Sequence, residues 1–477
     1  MSTRKPPSTP LVVILGSTGT GKSELAVDLA VRFDGEIVNA DAMQMYNGLP
    51  IITNKISHEE QRSIPHHLLG NISLDEETWI VGVFKKKASK IIQEIRSRGR
   101  LPIVVGGTHY YTQALLFRDN LIEANNETPE QLPGQDKSAE FPILNDTTEA
   151  MWKRLKEVDP VMADRWHPND RRKIHRSLEI FLTTGKRASD IYAEQQKRKA
   201  QQQAVAKHES DPQPGSDPLL FWVHTEDQAL KDRLNRRVDK MLEAGLMDEI
   251  AKMNNYLQST LQAAESVDFT RGIWQSIGFK EFQPYLRAVE NGMDGPDLES
   301  LKLECLEKMK TATRRYARYQ MKWIAKQTIP LLQGEGNFDR LYVLDSTDVT
   351  QFTKQVIDQA ADVTRKFLAG EDLPAPSETA REVLKAAEAA NSAQDTPCRR
   401  YCDLCDATLL SEEAWVKHIR GKAHRRQVRH RKRTALVPVE CVDAEVSKVE
   451  TNLGDWSAAS WKLSAHTGET QPRTGTE

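Results

Sequence analysis

The stretch Gly16-Ser17-Thr18-Gly19-Thr20-Gly21-Lys22-Ser23 follows a short apolar run, Leu11–Leu15, and precedes a run with helical spacing, Glu24–Phe33. A glycine-rich loop that ends in Gly-Lys-Ser between a strand and a helix is typical of a phosphate-binding P-loop. Its glycines let the backbone aim successive N–H groups at phosphate oxygens, and the helix N-terminus adds a partial positive charge. Lys22 supplies a cation, and the Ser23 hydroxyl can ligate Mg²⁺. The loop predicts a site for a di- or triphosphate, and the alternative is a chance glycine-rich turn.

Four more short apolar runs have the length and composition of buried strands, and helix-like segments lie between them. They are Glu36–Ala40, Leu101–Val105, Leu219–Val223 and Leu341–Leu344. This alternation predicts an α/β fold with a parallel sheet of the P-loop NTPase type. Ligands of such sheets bind beyond the carboxyl ends of the strands, so the P-loop, Asp41 and Thr108 should converge on one crevice. We also expect the strand before Asp41 to lie beside the P-loop strand.

The length of 477 residues exceeds one ordinary domain and predicts several units. The divisions that composition indicates are an N-terminal tail at 1–10, a catalytic region at 11–370, a linker at 371–397, a zinc finger with a basic extension at 398–433, and a disordered tail at 434–477. Within the catalytic region we expect a P-loop core at about 11–118 and 219–350. A mainly helical insertion, with loops near 120–149 and 195–218, is expected at about 119–218.

Composition excludes some classes of protein. Five cysteines in a chain of this length do not form a disulfide scaffold, and they suit a reducing compartment. The net charge of −2 argues by itself for no class of partner. No apolar run reaches membrane-spanning length, and the first ten residues lack the apolar segment of a secretory signal. We expect a monomeric cytoplasmic protein without membrane contact, and leave mitochondrial and nuclear pools open.

Asp41 begins the segment Asp41-Ala42-Met43-Gln44, in which a carboxylate is followed by an amide three residues later. In a P-loop kinase or ATPase, an aspartate in this place would hold Mg²⁺. A carboxylate with a nearby amide fits the amino edge of a nucleic-acid base better. A strand-end aspartate without a role is the remaining alternative.

The order of the motifs along the chain resembles the tRNA dimethylallyltransferase (isopentenyltransferase) family. Beside the P-loop, these motifs are Asn39–Gln44, Val105–Tyr111, Asp159-Pro160, His167–Asp170, Arg176–Glu179, Arg233–Leu246, Ile277–Glu281 and Tyr316–Gln320. The resemblance covers roughly residues 11 to 350. Ala42 and Phe279 stand where the family often has Ser and Tyr, and the acidic insert near 120–150 is unusual for it.

The resemblance implies that a dimethylallyl group passes from dimethylallyl diphosphate to N6 of adenosine-37 in the tRNA anticodon loop. The leaving group is diphosphate, so the P-loop and Mg²⁺ can serve without a nucleotide. The catalytic residues that the resemblance implies are Asp41, Thr108 and Arg237, with Asp41 accepting the N6 proton. Arg233 and Arg237 lie one helical turn apart, and either can match the diphosphate-contacting arginine of the family. We favour Arg237, and expect Arg233 to contribute to donor binding.

Basic residues beside aromatic ones on the helix predicted at 301–326 are candidates for tRNA contacts. The residues expected to bind tRNA are Asp41, Ala42, Met43, Gln44, Arg172, Arg176, Lys280, Arg314, Arg315, Arg318 and Gln320. On the helix expected at 301–326 the alternative is an amphipathic helix whose aromatic residues belong to the core. Arg172, Lys173 and Arg176 form a second basic helix candidate with the same ambiguity.

The motif Cys402-x2-Cys405-x12-His418-x5-His424 has the spacing of a C2H2 zinc finger and predicts a structural Zn²⁺. We place the cysteines on a knuckle and both histidines on a helix, and expect Cys398 to be a free thiol. The wide step between the histidines resembles the matrin-type fingers, which as a group lean towards RNA. Residues 417–433 contain nine Lys or Arg and no acid, which exceeds the charge of an ordinary solvated face and indicates contact with a nucleic-acid backbone. A nuclear-localisation signal at Arg431-Lys432-Arg433 is the competing interpretation.

Three classes of function compete on this sequence. The first is a tRNA prenyltransferase, the second is a P-loop kinase or ATPase for a nucleotide or small molecule, and the third is a non-catalytic zinc-finger RNA-binding protein with a relic P-loop domain. The ordered motifs favour the first class. The intact Lys22, Ser23 and Asp41 argue against the third.

Overall fold

A computed structural model of the chain describes residues 5–76, 78–117, 140–195, 197, 217–263, 269, 271–392 and 397–434. Most of the two predicted loops of the insertion and the predicted tail after residue 434 lie outside the described residues. The chain divides into two compact units, Met1–Lys417 and His418–Glu477.

The first unit contains a six-stranded parallel sheet, as the alternation of strands and helices predicted. Its strands in chain order are β1 (Pro10–Gly16), β2 (Gly35–Asn39), β3 (His66–His67), β4 (Leu101–Val105), β5 (Asp217–His224) and β6 (Leu341–Asp345). The spatial order is β3-β2-β4-β1-β5-β6, with Val13 of β1 paired with Val104 of β4 and Leu220 of β5. The P-loop strand therefore lies at the centre of the sheet, with one strand between it and the strand before Asp41.

That order corrects one expectation. The strand that precedes Asp41 pairs with β4 and β3, and β4 separates it from the P-loop strand. The carboxyl ends of all three strands still meet at one edge of the sheet, because every pairing is parallel. The predicted crevice therefore exists even though the expected strand adjacency is wrong.

The helices of the first unit cover both faces of the sheet or form the insertion. In chain order they are α1 (Lys22–Arg32), α2 (Val81–Ser97), α3 (His109–Leu116), α4 (Thr148–Val158), α5 (Pro160–Arg165), α6 (Arg171–Thr184), α7 (Asp227–Glu243), α8 (Leu246–Ala263), α9 (Gln283–Glu290), α10 (Gly295–Trp323), α11 (Ile329–Gly334), α12 (Gln359–Ala369) and α13 (Glu378–Ser392). A π-helical turn, Ile324–Thr328, continues α10. Among the described helices, none combines the length and apolar character that a membrane span requires.

Alternate side chains of the central strand pack into two hydrophobic cores, one on each face of the sheet. Leu11, Val13 and Leu15 belong to the larger core, together with apolar residues of α2, α8, α9 and α10. Val12 and Ile14 belong to the second core, with α1 and α12. Burial on both faces explains why the strand reads as an uninterrupted apolar run.

The described part of the insertion has a small hydrophobic core of its own. Met151 and Leu155 of α4 pack with Ile174 and Leu178 of α6, and all four are essentially inaccessible to solvent. The predicted mainly helical insertion is therefore present.

The segment predicted as a plain linker, 371–397, contains α13, which corrects that prediction. Ala380, Leu384 and Ala387 of this helix are buried in the larger core. Their spacing of four and three residues places them on one helical face. The alanine- and glutamate-rich composition concealed this apolar stripe.

The zinc-finger sequence begins with an antiparallel hairpin, β7 (Pro397–Cys402) and β8 (Ala407–Ser411). It is followed by α14 (Glu412–Arg420) and α15 (Lys422–Thr434). His418 lies on α14 and His424 on α15, so the expectation that both histidines share one helix is wrong.

Candidate active site

The P-loop joins β1 to α1, and its glycines adopt conformations that other residues rarely adopt. Gly19 has φ of 84° and Gly21 has φ of 88°. A Cβ at Gly19 would lie 2.7 Å from Leu234 Cδ2, and one at Gly21 would lie 2.6 Å from the Phe352 ring. Both the left-handed backbone and the close neighbours therefore require glycine at these positions.

Lys22 begins α1 and folds back over the loop. Its Nζ donates a hydrogen bond of 2.6 Å to the carbonyl oxygen of Ser17. Desolvation lowers the pKa of Lys22 to about 8, with a smaller lowering from Arg237 and an opposing effect of Asp41. The ammonium group thus lies inside the crevice, where a bound anion would stabilise its charged form.

Asp41 lies just beyond β2, where the Asn39 side chain positions it. Asn39 Oδ1 accepts from the Asp41 N–H at 3.1 Å, while Asn39 Nδ2 donates to the Leu68 carbonyl at 2.8 Å. Asp41 Oδ1 accepts from the Met43 N–H at 3.1 Å. Burial raises the pKa of Asp41, and the charge of Lys22 opposes that rise. A carboxylate with a raised pKa is a stronger proton acceptor than an ordinary aspartate.

Thr108 reaches the same crevice from the end of β4. Its hydroxyl accepts a 3.0 Å hydrogen bond from the Ala42 N–H, which ties the Asp41 segment to the β4 loop. The Thr108 side chain also interacts with the phenol of Tyr316 on α10. Burial, and next the charge of Asp41, raise the pKa of Tyr316. The neutral phenol is therefore the stable form beside Asp41.

The two candidate arginines on α7 have different partners. Arg233 donates to the carbonyl oxygens of Gly19, Ser346 and Thr347, at 3.3, 2.7 and 3.2 Å. Arg237 donates through Nη1 to the Thr18 hydroxyl at 2.8 Å. Burial lowers the pKa of Arg237 to about 10, and Asp41 opposes this. Arg237 is therefore the arginine whose charge lies within the crevice, whereas Arg233 holds the P-loop to the end of β6.

Several buried polar groups around the loop have no hydrogen-bond partner among the described residues. They include Ser17 Oγ, Arg233 Nε and Arg237 Nε. Unpaired buried donors cost free energy, so their cluster at a P-loop is a reason to expect a polar ligand there.

His109 is a residue of this site that the sequence reasoning did not select. It follows Thr108 and is 3% exposed, and burial lowers its pKa to about 3, with a smaller contribution from Lys22. The imidazole is thus neutral at physiological pH. The sequence signal for His109 was its membership of the motif Val105–Tyr111. Tyr316 belongs to the motif Tyr316–Gln320 and to the aromatic residues between basic ones on the helix expected at 301–326.

The expected tRNA-binding residues differ in exposure and in their partners. Ala42 and Met43 are half-buried against the larger core, and Gln44 Nε2 donates to the Asn54 carbonyl. Arg314 bonds to the side chains of Asn235 and Thr311, and Arg176 pairs with Glu179 at 2.8 Å. The exposed residues of the expected set include Arg172, Arg176, Lys280, Arg315 and Arg318.

Gln320 is placed elsewhere than expected. Its side chain is 2% exposed and bonds to the P-loop and to Gly107 instead of facing solvent.

Three aromatic residues near the crevice form a surface cluster, made of Tyr110, Tyr319 and Trp323. The ring centroids of Tyr110 and Trp323 lie 6.1 Å apart, and those of Tyr319 and Trp323 lie 5.9 Å apart. Tyr110 is 41% exposed and Tyr319 is 56% exposed. Burial raises the pKa of both tyrosines, and the charge of Arg172 in the insertion lies close enough to oppose that rise.

The zinc-ligand candidates come together as the spacing predicted. One ligand atom from each of Cys402, Cys405, His418 and His424 lies within 4.8 Å of the others. Two thiolates and two imidazoles are a donor set that suits tetrahedral Zn²⁺. Cys398 lies outside this group, and its thiol contacts Glu412.

A family model described as IPP transferase matches residues 44–327. A tRNA dimethylallyltransferase of Schizosaccharomyces pombe is 39% identical over an alignment of 448 residues that covers 89% of this chain and 96% of the relative. The chain belongs to the tRNA dimethylallyltransferase family.

Other tRNA dimethylallyltransferases agree with this assignment. The Homo sapiens relative is 34% identical over 439 residues, which cover 91% of this chain and 89% of the relative. A crystal structure of a eukaryotic dimethylallyltransferase acting on tRNA superimposes with a TM-score of 0.70 at 31% identity, covering 90% of this chain and 98% of that one. The family resemblance read from the motifs is therefore confirmed.

A second family model, described as zinc-finger double-stranded RNA-binding, matches residues 399–425 of this tRNA dimethylallyltransferase family member. The match includes all four zinc-ligand candidates. It agrees with the prediction of a C-terminal zinc finger of a type that leans towards RNA.

Replacement of Cys405 by serine should abolish stoichiometric zinc binding, because a hydroxyl is a poor substitute for a thiolate ligand. We expect one zinc per chain in the parent protein and almost none in Cys405→Ser, measured by metal analysis after extensive dialysis. Cys398→Ser is the matched control and should retain its zinc. A Cys405→Ser protein that kept one equivalent of zinc would refute the ligand assignment.

Proposed function

We propose that this protein transfers a dimethylallyl group from dimethylallyl diphosphate to N6 of adenosine-37 in the anticodon loop of tRNA. The products are N6-isopentenyladenosine and diphosphate. The observation that supports this most is the meeting of Asp41, Lys22 and Arg237 in one crevice, where each affects the pKa of another. That arrangement places cations for a diphosphate beside a carboxylate that can accept a proton.

The diphosphate of the donor would lie on the P-loop, whose residues are Gly16, Ser17, Thr18, Gly19, Thr20, Gly21, Lys22 and Ser23. Lys22 and Arg237 would neutralise the charge that develops on the leaving oxygen as the C–O bond breaks. Thr18 and Thr108 supply hydroxyl groups at the two sides of the crevice. Arg233 acts indirectly, by holding the Gly19 carbonyl.

Ser23 would hold Mg²⁺ together with the diphosphate oxygens. Its side chain is exposed in the first turn of α1, next to Lys22, which fits this role. A bound Mg²⁺ would supply further neutralisation of the leaving group.

Asp41 would act as the general base. The N6 lone pair of adenine is delocalised into the ring, so the amine attacks well only as its proton is taken up. In the reaction N6 forms a bond to C1 of the dimethylallyl group, the C1–O bond breaks and diphosphate leaves. The displaced N6 proton passes to the Asp41 carboxylate. The adenine must leave the base stack of the anticodon loop to reach this depth.

The aromatic cluster of Tyr110, Tyr319 and Trp323, with Arg172 beside it, would contact the tRNA. Aromatic rings stack on unpaired bases, and arginine contacts both phosphates and base planes. Tyr110 follows Thr108 by two residues, and Tyr319 affects the pKa of Tyr316, so the cluster lies near the crevice. The basic helix α15 would bind the RNA backbone electrostatically.

The function is tested by incubating the protein with labelled dimethylallyl diphosphate and unmodified tRNA, followed by nucleoside analysis. We expect labelled isopentenyladenosine at one position per tRNA, with ATP in place of the donor as the control. Phosphorylation of RNA or a small molecule in the ATP control, without prenyl transfer, would instead support the alternative of a P-loop kinase.

Donor affinity should fall as the pH rises above about 8, by up to about tenfold per pH unit. The free enzyme holds Lys22 with a pKa of about 8, and the diphosphate binds the protonated form. Above that pH, binding must therefore take up a proton. Titration with dimethylallyl diphosphate from pH 7 to 9.5 measures the effect. Lys22→Arg is the control, since guanidinium stays charged over this range; a flat parental profile would contradict the assignment.

A further inference from the structure

The side-chain amide of Gln320, on α10, connects two loops of the crevice. Its Oε1 accepts a 2.8 Å hydrogen bond from the Thr18 N–H, and its Nε2 donates a 2.9 Å hydrogen bond to the Gly107 carbonyl. The residue is 2% exposed. One side chain of α10 therefore bridges the loop after β1 and the loop after β4, whose bonded residues precede it by 302 and 213 positions.

The close approach of this amide explains a glycine. A Cβ at Gly107 would lie 2.4 Å from Gln320 Nε2 and 2.9 Å from Asp41 Oδ2. Gly107 thus leaves the space in which the amide and the catalytic carboxylate meet. Tyr316, one helical turn before Gln320, interacts with both Gln320 and Thr108. The loops after β1, β2 and β4 are in this way held against one face of α10.

We propose that Gln320 is a positioning residue that clamps the P-loop in its diphosphate-binding conformation, and not a tRNA contact. The proposal rests on the proposed function for the identity of the donor. The hydrogen bond from the Thr18 N–H to Gln320 fixes the backbone of Thr18. The hydroxyl of the same residue accepts a 2.8 Å hydrogen bond from Arg237 Nη1, so Gln320 also helps to position this contact. A loop of glycines has a large conformational entropy, so a fixed partner outside the loop preorganises it for the anion.

The position of Gln320 argues against a contact with RNA. Both polar atoms of the amide already have a partner inside the protein, and the 2% exposure of the residue leaves almost no surface for a base to contact. Its neighbours Arg318 and Tyr319 on α10 point outward and are exposed. The RNA-facing and donor-facing sides of this helix are therefore distinct.

The test compares Gln320→Met and Gln320→Asn with the parent protein. Methionine has similar volume but makes neither hydrogen bond, and asparagine keeps the amide but is one methylene too short to reach both partners. Gln113→Met is the matched control, because Gln113 is also a buried glutamine but bonds to Thr328, away from the P-loop. Thermal unfolding shows whether each variant folds. If one of the two Gln320 variants does not fold, the diphosphate affinity of the other tests the proposal.

Equilibrium titration with inorganic diphosphate should show about tenfold or more weaker binding for both Gln320 variants, the equivalent of two lost hydrogen bonds. The affinity for tRNA without donor should stay within about twofold, and the single-turnover rate at saturating donor should change less than the donor affinity. If Gln320 only stabilised the fold, its replacement would lower the diphosphate affinity, the tRNA affinity and the transfer rate together. Gln113→Met should bind diphosphate like the parent protein.

Two results would overturn the proposal. One is an unchanged diphosphate affinity in both folded variants, and the other is weakened tRNA binding with normal diphosphate binding. The titration needs no turnover, so it remains informative if the parent protein binds diphosphate but makes no isopentenyladenosine. That outcome would reject the proposed function, while the diphosphate affinities of the variants would still show whether Gln320 holds the P-loop.

Discussion

Asp41→Asn should lower the single-turnover rate of prenyl transfer by about a hundredfold or more, the usual range for loss of an acid–base group. Asparagine keeps the shape of the side chain and can still accept from the Met43 N–H, so the local structure should persist. It cannot take up the N6 proton. Donor affinity should change little, because Lys22 and Arg237 remain.

The measurement is paired and is made at pH 7. Donor affinity is determined by titration, and transfer is followed in a single turnover with unmodified tRNA. The pH matters because the charge of Asp41 raises the pKa of Lys22, and without that charge Lys22 loses its proton more readily.

Asp34→Asn is the control for this experiment. Asp34 is an exposed aspartate just before the other end of the same strand, β2, and pairs with Arg100 at 3.3 Å. Its replacement should leave the rate unchanged. If Asp41→Asn transferred at the parental rate, the base would have to be another group. If it lost Mg²⁺-dependent diphosphate binding, Asp41 would belong to a metal site.

Lys22→Ala should weaken donor binding by about a hundredfold or more, because a desolvated charge-assisted contact is lost. A second effect follows from the same charge. Lys22 lowers the pKa of Asp41, so its removal should raise that pKa further. Asp41 accepts a proton only when ionised, and transfer by the variant should therefore require a higher pH than transfer by the parent protein.

The two effects are separated by measuring donor affinity and the pH dependence of the single-turnover rate at saturating donor. Lys90→Ala is the control, since Lys90 is an exposed lysine on α2 whose ion pair with Glu94 spans 3.8 Å. Surface pairs of this kind contribute little. Parental donor affinity in Lys22→Ala would remove Lys22 from the diphosphate site.

Much of the site was predictable because its residues follow strand ends directly. Asp41 and Thr108 come just after β2 and β4, and parallel strands bring their carboxyl ends together whatever their order. This is why the crevice was predicted although the strand adjacency was wrong. The stripe of Ala380, Leu384 and Ala387 could also have been read from its period, but its composition resembled a linker.

The helical spacing of Arg233 and Arg237 did not show which of the two arginines faces the diphosphate site. The two residues share a helical face, and the spacing cannot say which one is deeper. Only the packing of α7 against the P-loop and β6 gives Arg233 three carbonyl partners and Arg237 the Thr18 hydroxyl.

The sequence by itself determined the P-loop, the parallel α/β fold and the four zinc-ligand candidates. Each of these depends on short-range spacing, because glycine conformations, helix starts and metal-ligand steps are local properties of the chain. The tertiary structure alone decided the strand order, the separation of the histidines onto α14 and α15, and the hydrogen-bond partners of Gln320. The partners of Gln320 lie more than 200 residues away, and a buried amide selects partners by three-dimensional proximity, which no local pattern encodes.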